Sequence, residues 1–350
     1  MYLYLVSLAL VVPLIFLIGY VFRKRFDFTG KTVLITGGSR GLGLEIAREL
    51  IKQGSRVAVC ARDQKELDAA WRDLSLYGRE IFTVRCDVTS PEEVEKMILL
   101  VEEEFGEIDV LINNAGLISA GPLEVMTTKD YETMMKIHFW GPLYTILAML
   151  PRMERKGGGR IINIASIGGK ISAPHIVPYS ASKFALVGLS EGLAAEMRKN
   201  RIFVTTVCPG LMRTGSPYRA SFKGQNKKEF GLFANLSSLP VFSIDSGRAA
   251  KRILSASKKG KTVVILTLPA ILGAWFHGLF PGTMINVLAV ISRWLPASGG
   301  TGTRAVTGKE SVSEESDTAV TRRFLDPAAV KNNELSKKGL REAKQKHEAA

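Results

Sequence analysis

Residues 32–43 read T-V-L-I-T-G-G-S-R-G-L-G. The run Thr32, Val33, Leu34, Ile35 is short, largely β-branched and apolar, which predicts a strand. Leu44, Ala47, Leu50 and Ile51 then recur at helical spacing. The stretch reads as strand, glycine turn, helix. Gly37, Gly41 and Gly43 stand where such a turn needs positive φ, where backbone approaches a ligand, and where helix packs on strand. The start of the helix offers unpaired N–H groups and a positive dipole end to a pyrophosphate. Taken alone, a Gly-rich turn also fits an ordinary loop.

From residue 30 to about 215, strand and helix patterns alternate. Further strands are expected at Arg56–Cys60, Ile81–Arg85, Val110–Ile112, Arg160–Ala165 and Ile202–Cys208, and a seventh at Thr262–Thr267. Helices are expected at Glu66–Leu76, Pro91–Phe105, Tyr131–Met149 with a bend near Gly141-Pro142, and Tyr179–Arg198. This alternation predicts an α/β fold with a doubly wound parallel sheet covered on both faces. Residues 216–240 mix polar and aromatic side chains and read as a mobile loop over the site, or as a surface insertion without a role.

The chain has 350 residues and a formal net charge of +14. That length holds a full core plus extensions. The charge suits an anionic partner such as a dinucleotide or a membrane surface, or serves solubility alone. Cys60, Cys86 and Cys208 are scattered, and so are His138, His175, His277 and His347. Neither a disulfide framework nor a zinc cluster fits that spacing.

The two ends depart from the alternating pattern. Residues 2–22 are apolar and uncharged, and Arg23, Lys24 and Arg25 follow at once. About 21 residues at ~1.5 Å each span ~31 Å, the thickness of a bilayer core. The expectation for 1–25 is an uncleaved N-terminal transmembrane helix, with its basic end and the following domain on the cytoplasmic side. A cleaved signal peptide would carry its charge before the apolar run. Residues 268–296 are again apolar but broken by Pro269, Gly273, Pro281 and Gly282. Core helices, an oligomer contact and membrane-associated helices all fit; one anchor already at the bilayer favours the last. Residues 297–350 are polar and expected to be mostly disordered, with a short helix near Glu334–Glu348.

Tyr179 and Lys183 lie four residues apart and share one face of their helix. A free tyrosine titrates near ~10, and a nearby ammonium lowers that value toward the working range of a general acid or base. Ser166 stands thirteen residues before Tyr179, at a strand end. A hydroxyl there could hold a substrate carbonyl against the phenol. Tyr-x-x-x-Lys alone would also fit a solvated helix face.

The ordered set decides between these. T-G-G-S-R-G-L-G, Asp87, N-N-A-G at 113–116, Ser166, Tyr179 with Lys183, and Pro209-Gly210 with Thr214 follow one another on one scaffold. Over residues 30–267 this resembles the short-chain dehydrogenase/reductase family. The resemblance implies a Rossmann-type catalytic domain over 26–267 and hydride transfer between a nicotinamide cofactor and a carbonyl/alcohol pair. Thr36, Gly37, Ser39, Arg40, Gly41 and Gly43 would form the cofactor turn. Asp87 would lie by the adenine, and Asn113, Ala115 and Gly116 would line the central cleft. Pro209, Gly210 and Thr214 would contact the nicotinamide end. Ser166 would orient the carbonyl and Tyr179 would move the proton. Lys183 would hold the ribose and lower the Tyr179 pKa.

Cofactor choice follows from charge. An NAD enzyme usually has an acid after the second strand to accept the ribose hydroxyls. Here the strand ends Cys60-Ala61-Arg62, and Asp63 comes one place late. Arg40 and Arg62 place two guanidinium groups where a 2′-phosphate is expected, which favours NADP(H). One position departs from the family pattern. The helix before the Ser166 strand usually carries a relay asparagine, and the matching place holds His138. It reads equally as a relay substitute and as a satisfied core histidine. The anchor and the apolar stretch at 268–296 suggest a lipophilic substrate (steroid, retinoid, fatty acyl or sphingoid type) delivered from the bilayer, with membrane lipid as a contact. The layout is most similar to membrane-bound hydroxysteroid and retinol dehydrogenases, and the family resemblance implies a homo-oligomer, which the anchor and the C-terminal apolar stretch could alter. A different class, an NADP-binding membrane scaffold with little turnover, is the alternative. A nucleic-acid role has no aromatic-basic motif behind it.

Overall fold

The structure is a computed structural model, and it describes residues 25–312. The expected N-terminal anchor and the expected helix near Glu334–Glu348 lie outside the described residues.

Strands β1 (Thr32–Thr36), β2 (Arg56–Ala61), β3 (Ile81–Arg85) and β4 (Val110–Asn113) alternate with helices α1 (Gly41–Ile51), α2 (Gln64–Leu74) and α3 (Pro91–Phe105). A short strand β5 (Ser119–Ala120) precedes α4 (Thr128–Met135) and α5 (Gly141–Arg155). After β6 (Gly159–Ile164) come α6 (Val177–Glu196), β7 (Ile202–Cys208), β8 (Leu211–Arg213) and β9 (Ser221–Phe222). The chain continues through α7 (Asn226–Ser238), β10 (Ser243–Asp245), α8 (Ser246–Lys258), β11 (Val263–Ile265), α9 (Leu268–Leu279), α10 (Pro281–Ser292) and β12 (Val306–Thr307).

Seven strands form one parallel sheet in the order β11-β7-β6-β4-β1-β2-β3. The chain runs outward from β1 to β3, then returns and continues from β4 on the other side. The gap between the carboxyl ends of β1 and β4 is therefore the place where ligands bind in such sheets. Successive side chains of β1 point to opposite faces. Val33 and Ile35 pack in the core under α1 and α8, and Leu34 in the core under α3 and α5. Both faces are covered, so β1 reads as a continuous apolar run rather than an alternating one.

Helix starts agree with local chemistry. Asp63 caps α2 by accepting from the Glu66 N–H at 3.1 Å. Ser90 caps α3, with Pro91 in its first turn. The irregularity expected at Gly141-Pro142 falls just before it: residues Lys136–Trp140 form a π-helical segment between α4 and α5. Such segments loosen the helix and re-aim its side chains.

Two expectations need correction, and one of the readings of 268–296 drops out. Residues 216–240 are not an open loop: a helical turn Ser216–Arg219, β9 and α7 occupy them. Phe222, Phe230 and Ala234 bury themselves there with Ala120 and Ala220, and this aromatic cluster holds the segment down. The tail is ordered up to residue 312, because Val306 pairs with Phe222 and a capping box joins Thr307 to Glu310. The stretch 268–296 forms two short helices, α9 and α10, and neither is core: only Ala270 is buried. Among the described residues no helix is long and apolar enough to cross a membrane.

Candidate active site

The glycine turn closes over the β1–β4 gap. Gly37 (φ +64) is closely approached: a Cβ there would come within 2.7 Å of the Ala115 Cα. Only glycine lets the two turns approach so closely. Gly41 (φ +55) is the opposite case, since nothing lies within 4 Å of where its side chain would be. Arg40, at the start of α1, makes no side-chain cap bond. The first turn of α1 therefore faces open space with its N–H groups uncovered by a cap, and this cradle fits a pyrophosphate. Gly43 packs against the Asn114 side chain.

Thr36 and Asn114 fix the turn to β4. The buried Thr36 Oγ1 accepts from the N–H groups of Asn114 (3.0 Å) and Ala115 (3.1 Å). Asn114 Nδ2 donates to the Gly37 carbonyl at 2.8 Å and the Thr36 carbonyl at 3.2 Å. Asn114 is thus a site residue that the spacing alone did not single out, although it stands inside the N-N-A-G run. Asn113, expected to line the cleft, turns inward. Its Nδ2 donates to Asn163 Oδ1 (2.9 Å), and its Oδ1 accepts from Thr145 (2.7 Å). Asn163 in turn donates to Ser190, so this buried chain ties β4, β6, α5 and α6 together.

At the end of the groove where the sequence places the cofactor ribose, Ser39 Oγ and Arg40 Nη1 both donate to Glu66, at 3.2 and 2.8 Å. Arg62 Nη1 lies 3.9 Å from Asp87, whose carboxylate also accepts from Thr89. Asp63 caps α2 through one carboxylate oxygen, Oδ1, which accepts from the Glu66 N–H. At the other end, the Pro209 carbonyl accepts from the Ile167 N–H at 2.7 Å, which ties this turn to the residue after Ser166. Gly210 sits against Thr267 and Ala270, and Thr214 is buried and donates to Ser216 Oγ at 2.6 Å.

Ser166, Tyr179 and Lys183 converge beside Gly116. Ser166 ends the loop after β6 and its Oγ accepts from the Gly168 N–H at 3.0 Å. A Cβ on Gly168 would lie 3.1 Å from the Tyr179 ring, so glycine is what lets the phenol approach Ser166. Burial pushes the Tyr179 pKa up, and its hydrogen bond with Ser166 pulls against that. Lys183 Nζ donates to the Ile164 carbonyl at 2.9 Å and stands 5.8 Å from the centre of the Tyr179 ring. Burial brings the Lys183 pKa down to about 7. The expectation that Lys183 lowers the Tyr179 pKa therefore does not describe this arrangement. Desolvation dominates both groups, and the lysine is itself only partly charged at neutral pH.

His138 is buried within the π segment, edge-on to Tyr179 with ring centres 5.3 Å apart. Its Nε2 accepts from the Leu117 N–H at 3.1 Å, so Nδ1 carries the proton and donates to Ser182 Oγ at 2.8 Å. Ser182 passes its own proton to the Tyr179 carbonyl at 2.7 Å. Burial first, and the nearby Lys183 second, hold the His138 pKa well below its usual value. Both ring nitrogens are satisfied and the ring is neutral. In this arrangement His138 positions the Tyr179 turn through Ser182.

The comparisons with known proteins agree with this geometry. A family model described as short chain dehydrogenase matches residues 31–221. The gluconate 5-dehydrogenase of Gluconobacter oxydans is 32% identical over 189 residues, covering 54% of this chain and 74% of its own. A short-chain dehydrogenase from Streptomyces avermitilis has TM-score 0.64 and 31% identity, over 75% of this chain and 95% of its own. L-sorbose reductase from Gluconobacter frateurii, solved with NADPH and L-sorbose, has TM-score 0.62 and 25% identity, over 69% and 97%. These relatives do not carry the finer likeness to membrane-bound hydroxysteroid and retinol dehydrogenases. What they share with this chain is the fold, and the chain belongs to the short-chain dehydrogenase/reductase family of oxidoreductases acting on CH–OH and keto groups.

Proposed function

We propose that this protein is an NADP(H)-dependent oxidoreductase that interconverts a lipophilic ketone or aldehyde with its alcohol at a membrane surface. The observation that carries the chemistry is the Tyr179 hydroxyl, hydrogen-bonded to Ser166, with Lys183 behind it. When bound, the nicotinamide supplies or accepts the hydride. In reduction Tyr179 donates its proton to the carbonyl oxygen, and in oxidation it takes the proton back. Ser166 holds that oxygen against the phenol. Thr36 and Asn114 keep the cofactor turn in place.

The NADP(H) reading rests on Arg40 and Arg62 and on Asp63 standing one place late. The lipophilic reading rests on α9 and α10. Leu268, Leu272, Trp275, Leu279, Phe280, Ile285 and Trp294 are all exposed there. No acidic residue occurs between Leu268 and Pro296. Helix α9 adjoins the site, since Ala270 lies against Gly210 and Gly273 against Ile171. An apolar surface next to the substrate side suits delivery from a bilayer.

The test is NADPH and NADH oxidation by the full chain in detergent over long-chain, steroid and small polar carbonyls. Tyr179→Phe should lower kcat by about 10²–10⁴-fold while leaving cofactor affinity in place. Turnover confined to polar sugars would remove the lipophilic reading, and a clear NADH preference would remove the NADP(H) reading.

A further inference from the structure

The covering segment sends a cation to the far end of the cofactor groove. Arg219 closes the helical turn Ser216–Arg219, shortly after the Pro209-Gly210 turn. Its Nη2 lies 3.3 Å from Glu66 Oε1, the same oxygen that accepts the Arg40 hydrogen bond at 2.8 Å. One carboxylate thus gathers the glycine turn, the first turn of α2 and the covering segment. The base of Arg219 is fixed. Ala220 is buried next to it, and Ser221–Phe222 pair with both β5 and β12. Its side chain is 61% exposed.

The charge balance around this point is uneven. Arg40, Arg62 and Arg219 present three guanidinium groups, against Glu66 and Asp87. Arg40 is pushed down from its usual range by burial, with Glu66 opposing and the like charges of Arg219 and Arg62 adding to the push. A surplus of cation at an exposed rim is relieved by an added anion, and a guanidinium has five donors, enough to serve Glu66 and a phosphate together.

We propose that Arg219 is a third reader of the cofactor 2′-phosphate, delivered by the segment that covers the site. The proposal rests on the NADP(H) reading above. Glu66 holds the Arg40 and Arg219 tips together, and Arg62 stands beside Asp87, before the phosphate arrives. The phosphate then joins the cluster, and recognition of the cofactor's adenosine end is passed to the wall of the substrate side. Because Arg219 lies outside the strand-end positions that set cofactor choice by sequence pattern, its contribution would come from the tertiary fold alone.

The experiment measures binding of 2′,5′-ADP and 5′-ADP to the full chain by calorimetry, with limited proteolysis of 214–225 alongside. Wild type should bind 2′,5′-ADP at least tenfold more tightly than 5′-ADP. Arg219→Gln should lose about three- to thirtyfold in 2′,5′-ADP affinity and leave 5′-ADP unchanged, and Arg219→Lys should recover part of the loss. NADP should protect 214–225 from cleavage more than NAD does, and Arg219→Gln should abolish the difference. If wild type prefers 2′,5′-ADP and Arg219→Gln keeps that preference in full, the Arg219 proposal falls and the NADP(H) reading stands. If wild type shows no preference, the NADP(H) reading falls and the proposal with it.

Discussion

At Tyr179 and Lys183 the buried setting opposes the charges that the chemistry uses. The spacing of the pair is legible in the sequence, because four residues bring two side chains to one helix face. Their protonation is not legible, since it depends on the desolvation supplied by β6, β7 and the loop after Ser166. Lys183 titrates near 7 in the folded chain against an ordinary 10.5. Between those values the unfolded chain binds more protons than the native one, so stability without cofactor rises with pH from about 7 to 10.5. Below 7 the full cost of a buried ammonium is present. Lys183→Met should therefore be more stable than wild type at pH 6, on the order of a few kcal/mol at ~1.4 kcal/mol per unit. That advantage should shrink through pH 7–10.5 and vanish above it, as read from urea midpoints of the two proteins. A constant advantage across that range would mean that Lys183 is not titrating there. His138 follows the same logic: its place in the chain was legible, and its two hydrogen bonds, which decide its role, were not.

At the scale of elements, the cofactor turn depends on how α1 is seated. Arg48 of α1 is buried and bonds Asp73 of α2 through two nitrogens, Nε at 2.7 Å and Nη2 at 2.9 Å, and Glu45 through Nη1 at 2.7 Å. Removing one partner of a buried pair leaves the other charge without compensation. Asp73→Ala should cost about 3–5 kcal/mol in chemical denaturation, whereas replacing an exposed charge of α2 such as Asp68 should cost less than about 1 kcal/mol. Equal losses would show that the pair does not seat α1. The apolar stripe of α1 was readable from residues 42–51, but the Arg48–Asp73 link was not, because it joins positions 25 apart through side chains. Residues 216–240 illustrate the same limit. Their mixed composition resembles a loop, and order comes from Phe222 and Phe230 meeting Ala120 across about a hundred residues of sequence.

For the whole molecule, the sheet order fixes where things meet. Helix α9 leaves the carboxyl edge of β11, beside the site, whereas Phe26 bonds to Lys258 near the start of the strands. The apolar hairpin and the beginning of the described chain therefore stand at opposite edges of the sheet. If α9 and α10 contact lipid, Trp275 and Trp294 should be quenched in vesicles containing brominated phosphatidylcholine. Trp275→Phe with Trp294→Phe should then remove most of the quenching that the full chain shows. Equal quenching with and without those two tryptophans would assign any membrane contact to other parts of the chain.

The sequence by itself determined the alternating α/β scaffold, the glycine turn at 37–43 and the order Ser166, Tyr179, Lys183. Each is written in short-range terms: a period of two or of 3.6, a required φ, or a spacing along one helix. Only the tertiary structure decided that Asn114 straps the turn while Asn113 faces the core. It alone set Lys183 on the Ile164 carbonyl in a dry pocket and carried Arg219 to Glu66. Those features arise from desolvation and from contacts between distant segments. Both depend on which strands become neighbours, and no local pattern of residues encodes that.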